Sequence, residues 1–183
     1  MATSSPSRSE LDRADAADWL LANTDLIARD RSVLDVASGR GRHALWLASR
    51  GWEVHAVDRD AAALAELDER ARSRGLVVHT DCIDLEREDV DLGTERYGTV
   101  LVFNYLHRPL FPSIVRALLP GGVLLYETFT IGQRERGHPR NPNFLLQDGE
   151  LPTLVAPLDI LRSREGEFGG KLIGSVAARK QLP

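Results

Sequence analysis

The chain has 183 residues, 43% of them hydrophobic and 27% charged, with a net charge of −4, which fits one globular domain and gives no support for a nucleic-acid partner. No apolar run approaches the roughly 20 residues that span a bilayer, and the polar segment 1–9 has no signal-peptide core. The single cysteine excludes an internal disulfide and suits a reducing compartment. We therefore expect a cytoplasmic protein that does not bind a membrane, with a flexible tail over 1–12 and one domain over 13–183.

The predicted elements alternate between helices and strands along most of the chain. Apolar residues at 16, 19, 20 and 27 have helical spacing and predict an N-terminal helix. Strands are then predicted at 33–37, 54–58, 76–79, 99–103 and 123–128, and helices at 42–50, 60–74 and from about 109 to 119. A short helix near 150–155 and an antiparallel hairpin of 158–164 with 171–179, joined by a loop over 165–170, follow. This order predicts an α/β fold: a Rossmann-like, doubly wound sheet of about seven strands, mostly parallel, with a C-terminal antiparallel hairpin.

Segment 129–143 has no periodicity, and a loop of this length inside a compact domain is more often functional than accidental. Its basic side chains are Arg134, Arg136, His138 and Arg140. Two interpretations stay open: a solvated basic loop, or a lid over a bound substrate that binds an anion. Glu127 and Phe129, at the end of the fifth predicted strand, are candidates for contact with that substrate.

The first strand leads into a glycine-containing turn that is typical of nucleoside-binding sites. Gly39 and Gly41 let the backbone turn sharply and approach a ligand closely. Asp35 lies inside the strand, where a carboxylate needs hydrogen-bond donors. Asp58 ends the second predicted strand, where a carboxylate can accept hydrogen bonds from both hydroxyls of a ribose.

The turn alone does not identify the nucleoside. Segment 39–44, Gly-Arg-Gly-Arg-His-Ala, formally satisfies the dinucleotide fingerprint, whose last position accepts alanine. Asp35 opposes that interpretation because its charge lies near the expected pyrophosphate. The chain also leaves no room for the separate catalytic domain of most nicotinamide enzymes, so a nicotinamide-dependent oxidoreductase remains the less favoured alternative.

Two motifs resemble a known family. Segment 33–41, Val-Leu-Asp-Val-Ala-Ser-Gly-Arg-Gly, resembles the first motif of class I S-adenosylmethionine-dependent methyltransferases, and 118–124, Leu-Leu-Pro-Gly-Gly-Val-Leu, resembles their segment leading into the fifth strand. Segments 126–129 and 140–146 are similar to the small bacterial methyltransferases grouped with tellurite-resistance proteins. The resemblance implies S-adenosyl-L-methionine as cofactor and a small-molecule methyl acceptor, with a soft anion, thiol or oxyanion favoured.

The resemblance also implies which residues bind the cofactor. Asp35 is expected near the methionine end, Asp58 on the ribose hydroxyls, and residues 81–83 beside the adenine. The full implied set is Asp35, Ala37, Ser38, Gly39, Gly41, Asp58, Arg59, Asp81, Cys82, Ile83 and Asn104. Ala37 departs from the glycine that is common in the family, which implies a slightly wider turn or a slightly displaced cofactor.

Tyr105 and His107, which follow the fourth predicted strand, are the catalytic candidates. The Asn-Pro-Pro-Tyr motif of many enzymes that methylate nitrogen in nucleic acids and proteins is absent here. His107 is a candidate base or acceptor contact, because its charge changes near neutral pH. The alternative is a histidine that caps the following helix. No metal ligands are assigned and the oligomeric state is not predicted. A non-catalytic S-adenosylmethionine-binding module remains an alternative function, and an RNA or protein methyltransferase is a less favoured one.

Overall fold

The structure, a computed structural model, describes residues 16–183; the predicted tail over 1–12 lies outside these residues. A seven-stranded sheet has the order β3-β2-β1-β4-β5-β7-β6. Strands β1 to β5 run parallel to one another, and β7 runs antiparallel between β5 and β6. The strands are β1 (Val33–Val36), β2 (Val54–Asp58), β3 (His79–Cys82), β4 (Tyr97–Phe103), β5 (Leu118–Phe129), β6 (Asp159–Phe168) and β7 (Lys171–Arg179). The predicted Rossmann-like sheet with its antiparallel C-terminal hairpin is confirmed.

Short helices connect the strands. The α-helices are α1 (Asp18–Ala22), α2 (Arg42–Ala48), α3 (Ala61–Ser73), α4 (Phe111–Ala117) and α5 (Leu151–Leu154), and 3₁₀ turns occupy Thr24–Leu26, Arg108–Leu110, Ile131–Glu135 and Pro142–Phe144. Helix α3 begins where its N-cap, the Asp60 carboxylate, accepts hydrogen bonds from the backbone N–H groups of Ala62 and Ala63.

The sheet is covered on both faces, which explains why its central strands are mostly apolar. Alternate residues of β1 point to opposite faces: Leu34 packs in one core with Ile114 of α4. Val33 packs in the other with Trp46 of α2 and Leu64 of α3. All seven residues of β4 are buried, as expected for a parallel strand between two helical layers.

Several predicted boundaries were wrong. Strand β3 begins at His79, not at residue 76: Leu76 and Val78 pack against the core from the connection after α3. The predicted loop over 165–170 contains the end of β6, because residues through Phe168 still pair with β7, which leaves only a two-glycine turn. The N-terminal helix ends at Ala22, and a 3₁₀ turn follows it.

Strand β5 begins earlier than predicted, at Leu118, and the glycines before residue 123 belong to it. Its pairing with β4 shifts register between Tyr97 and Thr99. At this shift the backbones approach so closely that a Cβ on Gly122 would lie 2.8 Å from the Leu119 carbonyl oxygen and 3.2 Å from that of Gly98. Position 122 therefore requires glycine.

We expect Gly122→Ala to lower the free energy of unfolding by about 1–3 kcal/mol, the usual cost of overpacking. The contacted atoms are backbone oxygens, which cannot move aside without disturbing two strands. Gly137→Ala is the matched control, because a Cβ there would meet no atom within 4 Å. Urea denaturation of both variants measures the difference, and equal losses would contradict the proposed crowding.

Candidate active site

The turn after β1 brings the backbone over the end of β2. Ala37, Gly39 and Gly41 all have positive φ, at 55°, 54° and 69°. Ser38 donates its backbone N–H to the carbonyl of Val57 at 3.1 Å. Ala37 takes the left-handed conformation although it is not glycine, at a cost of roughly 1–2 kcal/mol. The turn thus keeps a glycine-like backbone despite the Ala37 methyl group.

Asp58 connects this turn to the end of β2. Its Oδ2 accepts a hydrogen bond from the backbone N–H of Gly39 at 2.7 Å, and its Oδ1 accepts one from Asp60 at 2.9 Å. The two bonds fix the orientation of the half-buried carboxylate. Each oxygen keeps a further lone pair for a ligand.

Two cavities meet at the carboxyl ends of β1, β2 and β4. The first, of about 350 Å³, is lined by Ala37, Asp58, Arg59, Leu85, Glu86, Asn104, Tyr105, Leu106, Pro139 and Phe144. The second, of about 330 Å³, is lined by Asp35, Ala37, Ser38, Arg40, Arg42, His43, Phe103 and Asn104. Ala37 and Asn104 belong to both linings. The pair forms an elongated site at the edge of the sheet where doubly wound folds bind ligands.

The second cavity has buried polar atoms without partners. Within residues 16–183, neither Oδ2 of Asp35 nor Oγ of Ser38 has a hydrogen-bond partner. Burial is the main cause that raises the pKa of Asp35 to about 7; the backbone N–H of Ala44 and the charge of Arg42 oppose it. Because buried polar groups in proteins are normally satisfied, these atoms indicate a ligand site.

His43 also lines the second cavity, and only its place after the glycine turn marked it in the sequence. Its ring packs against Phe103 with centroids 4.3 Å apart, and its Nε2 accepts a 3.4 Å hydrogen bond from the backbone N–H of Ala17. Burial, reinforced by the charge of Arg42, lowers the pKa of His43 to about 3. The imidazole is therefore neutral at physiological pH.

Asn104 and Tyr105, which follow β4, lie where the sequence placed them, beside the first cavity. Asn104 has a φ of 56° and donates its backbone N–H to the carbonyl of Glu127 at 2.9 Å. The buried hydroxyl of Tyr105 has no partner among the described residues. Burial, with a smaller contribution from Glu86, raises the pKa of Tyr105 to about 12. The phenol is a hydrogen-bond donor at neutral pH, not a base.

Residues 81–83, expected beside the adenine, line neither cavity. Asp81 and Cys82 are exposed, and the Cys82 thiol donates to the carbonyl of Arg59 at 3.6 Å. Because β3 begins three residues later than predicted, the chain reaches the first cavity only at Leu85 and Glu86. The sequence missed these two residues because the strand before them was misplaced.

His107 lines neither of these two cavities. It lines a third cavity of about 460 Å³, which shares Leu85 with the first one. It is the N-cap residue of the 3₁₀ turn, but its carbonyl, not its side chain, accepts the hydrogen bond from Leu110. His107 therefore shares a cavity lining with neither Asp58 nor Asn104.

The loop after β5 reaches the first cavity through Pro139 and Phe144. Arg108 anchors it, donating to the carbonyls of Asn143 at 3.1 Å and Leu145 at 3.0 Å and pairing with Glu150. The loop has four basic side chains, for which the sequence left open a solvated loop or an anion-binding lid. All four are exposed and line neither cavity: Arg134, Arg136, His138 and Arg140.

Glu127, expected near the acceptor, is engaged inside the protein. Its Oε2 accepts hydrogen bonds from Ser175 Oγ at 2.7 Å and from the Arg164 guanidinium at 2.9 Å. Arg164 also stacks on Trp19 and Phe168. This buried cluster joins β5, β6 and β7 to the N-terminal helix, and it explains why a carboxylate is tolerated at the end of β5.

Comparison with known proteins agrees with this geometry. The model of a methyltransferase domain family matches residues 33–122. A probable S-adenosyl-L-methionine-dependent methyltransferase, TehB of Haemophilus influenzae, is 29% identical over 84 residues, which cover 46% of this chain and 29% of TehB. The match thus spans less than a third of that relative. Hemagglutinin 1 of Eikenella corrodens is 25% identical over 73% of this chain and 45% of its own length.

Solved structures share the fold at lower identity. The crystal structure of Haemophilus influenzae TehB superposes with a TM-score of 0.72 at 21% identity, covering 90% of this chain and 62% of that one. A methyltransferase from Methanosarcina mazei gives a TM-score of 0.73 at 18% identity, covering 92% of this chain and all of that one. Residues 33–122 therefore match a methyltransferase domain, and the chain is similar to the S-adenosylmethionine-dependent methyltransferase TehB in part of its sequence and in its fold.

Proposed function

We propose that this chain transfers the methyl group of S-adenosylmethionine to a small-molecule acceptor. The observation that carries the proposal is the pair of cavities that share Ala37 and Asn104, one lined by Asp58 and the other by Asp35. An elongated ligand with a nucleoside at one end and a charged amino acid at the other matches the chemistry of the two linings.

The residues present fit the cofactor of this family. Asp58 is fixed where it would accept hydrogen bonds from ribose hydroxyls, and Leu85, Leu106 and Phe144 offer apolar surface for a base in the first cavity. Asp35 and Ser38 supply the unpartnered polar atoms that an amino-acid end requires in the second. When bound, the cofactor supplies an electrophilic methyl group on a sulfonium.

The chain's own contribution is orientation and electrostatics. His43 and Tyr105 are neutral at physiological pH, since the pKa of the first is lowered to about 3 and that of the second is raised to about 12. Neither side chain is suited to remove a proton from the acceptor. This favours an acceptor that is already nucleophilic, such as a thiolate or an oxyanion, and it agrees with the resemblance to tellurite-resistance methyltransferases.

The proposal places this activity in the cytoplasm, within a single domain over 13–183. The exposed thiol of Cys82 suits a reducing compartment. In residues 16–183, no helix is both long enough and apolar enough to cross a membrane.

Parallel calorimetric titrations with S-adenosylmethionine, S-adenosylhomocysteine and NAD test the cofactor. We expect the first two to bind at micromolar concentrations and NAD not to bind, because Asp35 would face a pyrophosphate. Binding of NAD alone would restore the oxidoreductase alternative. Formation of S-adenosylhomocysteine with thiols, oxyanions and small phenols then tests turnover, and binding without turnover on any acceptor would favour a non-catalytic module.

A further inference from the structure

Three side chains of types that can bind a metal ion lie close together at the amino ends of β2 and β3. The two cavities described above lie at the carboxyl ends of the strands. Glu53 immediately precedes β2, His55 lies within it, and His79 begins β3. One potential ligand atom from each of the three residues lies within 4.8 Å of the other two. We propose that Glu53, His55 and His79 bind a divalent transition-metal ion, with Zn²⁺ favoured by two imidazoles and one carboxylate.

Strand pairing sets this arrangement. His55 and His79 are direct register partners on parallel strands, and their rings stack with centroids 4.7 Å apart and an interplanar angle of 26°. Glu53 lies two residues before His55, so its side chain is on the same face. The carbonyl of Glu53 accepts a 2.9 Å hydrogen bond from the backbone N–H of Val33, which fixes its backbone to β1.

The separation of two of the ligand atoms suits a tetrahedral ion. Nε2 of His55 and Oε1 of Glu53 are 3.3 Å apart. Two ligand atoms about 2.0–2.1 Å from a zinc ion, at the tetrahedral angle, are separated by about 3.3–3.4 Å. His79 is exposed, and rotation of its ring would complete a three-ligand set that leaves a fourth position for water.

The surrounding residues restrict the His55 ring, and they carry one positive and one negative charge. The ring of Tyr97 contacts His55 edge-on at 5.5 Å, and the side chain of His55 is only 13% exposed. The Arg96 guanidinium lies over Tyr97 at 5.2 Å and opposes a cation, whereas Asp81 lies two residues beyond His79 on the same face of β3 and favours one.

A bound ion would cross-link the edge strand β3 to β2. Strand β3 has four residues and pairs only with β2 among the described residues, so it has few interactions of its own. The site lies at the amino ends of β2 and β3, whereas Asp58 and Ala37 lie at carboxyl ends. The proposal is therefore independent of the proposed methyl transfer.

Equilibrium dialysis against Zn²⁺ tests the site, with a Cys82→Ser background to remove the one thiol of the chain. We expect micromolar uptake of a single ion per chain and a rise in unfolding temperature on adding Zn²⁺. His79→Gln and Glu53→Gln each change an exposed side chain and should weaken binding at least about tenfold and abolish the temperature rise. His138→Gln, an exposed histidine outside the cluster, is the matched control and should bind as the background protein does.

Two results would overturn the proposal. One is no uptake by the background protein below millimolar Zn²⁺, and the other is unchanged affinity in both His79→Gln and Glu53→Gln. Either result would mean that the cluster does not bind a metal ion. Its role would then be limited to the hydrogen bond between Glu53 and His55 and the stacking of the two imidazoles.

Discussion

Asp58→Ala is expected to weaken S-adenosylmethionine binding on the order of 100-fold, or about 2.7 kcal/mol, the size of one or two hydrogen bonds to a charged group. The carboxylate is fixed by the backbone N–H groups of Gly39 and Asp60 and lines the first cavity. Truncation removes both the ligand contact and the connection between the turn and β2. Calorimetric titration with S-adenosylmethionine and S-adenosylhomocysteine measures the loss.

Asp60→Ala is the matched control, because the Asp60 side chain contributes to neither effect. Asp60 lies two residues away, lines neither cavity and caps α3, so its loss should cost about 1 kcal/mol of stability and leave affinity nearly unchanged. Asp58→Asn keeps the size of the side chain but replaces one carboxylate oxygen with an amide NH2 group. This group donates hydrogen bonds and cannot accept them, so one of the two backbone N–H donors loses its partner. A folded Asp58→Ala protein with wild-type affinity would exclude the ribose role.

Affinity for S-adenosylmethionine is expected to fall about tenfold for each pH unit below about 7. Burial raises the pKa of Asp35 to about 7 in the unliganded protein. The ammonium group of a bound methionine end favours the ionised carboxylate, so the proton must leave on binding when the pH is below that value. From pH 7.5 to pH 5.5 the expected loss is therefore roughly 30-fold.

The other charged groups near Asp35 leave this sign unchanged. His43 has a pKa lowered to about 3, so it stays neutral over this range, and the arginine at 42 stays charged. Calorimetry at pH 6 in buffers of different ionisation enthalpy should show about one proton released per ligand bound. Asp35→Asn should release none and show a flat pH profile. Proton release that persists in Asp35→Asn would assign the linkage to another group.

The β1–turn–α2–β2 unit and the aspartate at its end were predictable from the amino-acid sequence. The reason is that all its signals are local: a short apolar run, glycines at positions that need positive φ, and an aspartate at the end of the next strand. The roles of Asp35, Ser38 and Asp58 stay predictions, but each lies beside a cavity where the motif placed it. Motifs in one continuous segment fix the relative positions of their residues through backbone conformation alone.

The remaining features depend on the tertiary structure. The bounds of β3 were not predicted correctly because an edge strand is held by backbone pairing and not by an apolar period. Residues 81–83, expected beside the adenine, line neither cavity. His43 and Phe103 line the second cavity and Phe144 lines the first, from three separate segments. The pairing of His55 with His79, and of Glu127 with Ser175, follows from strand register. Register between distant segments depends on how the whole sheet packs, which no local pattern specifies.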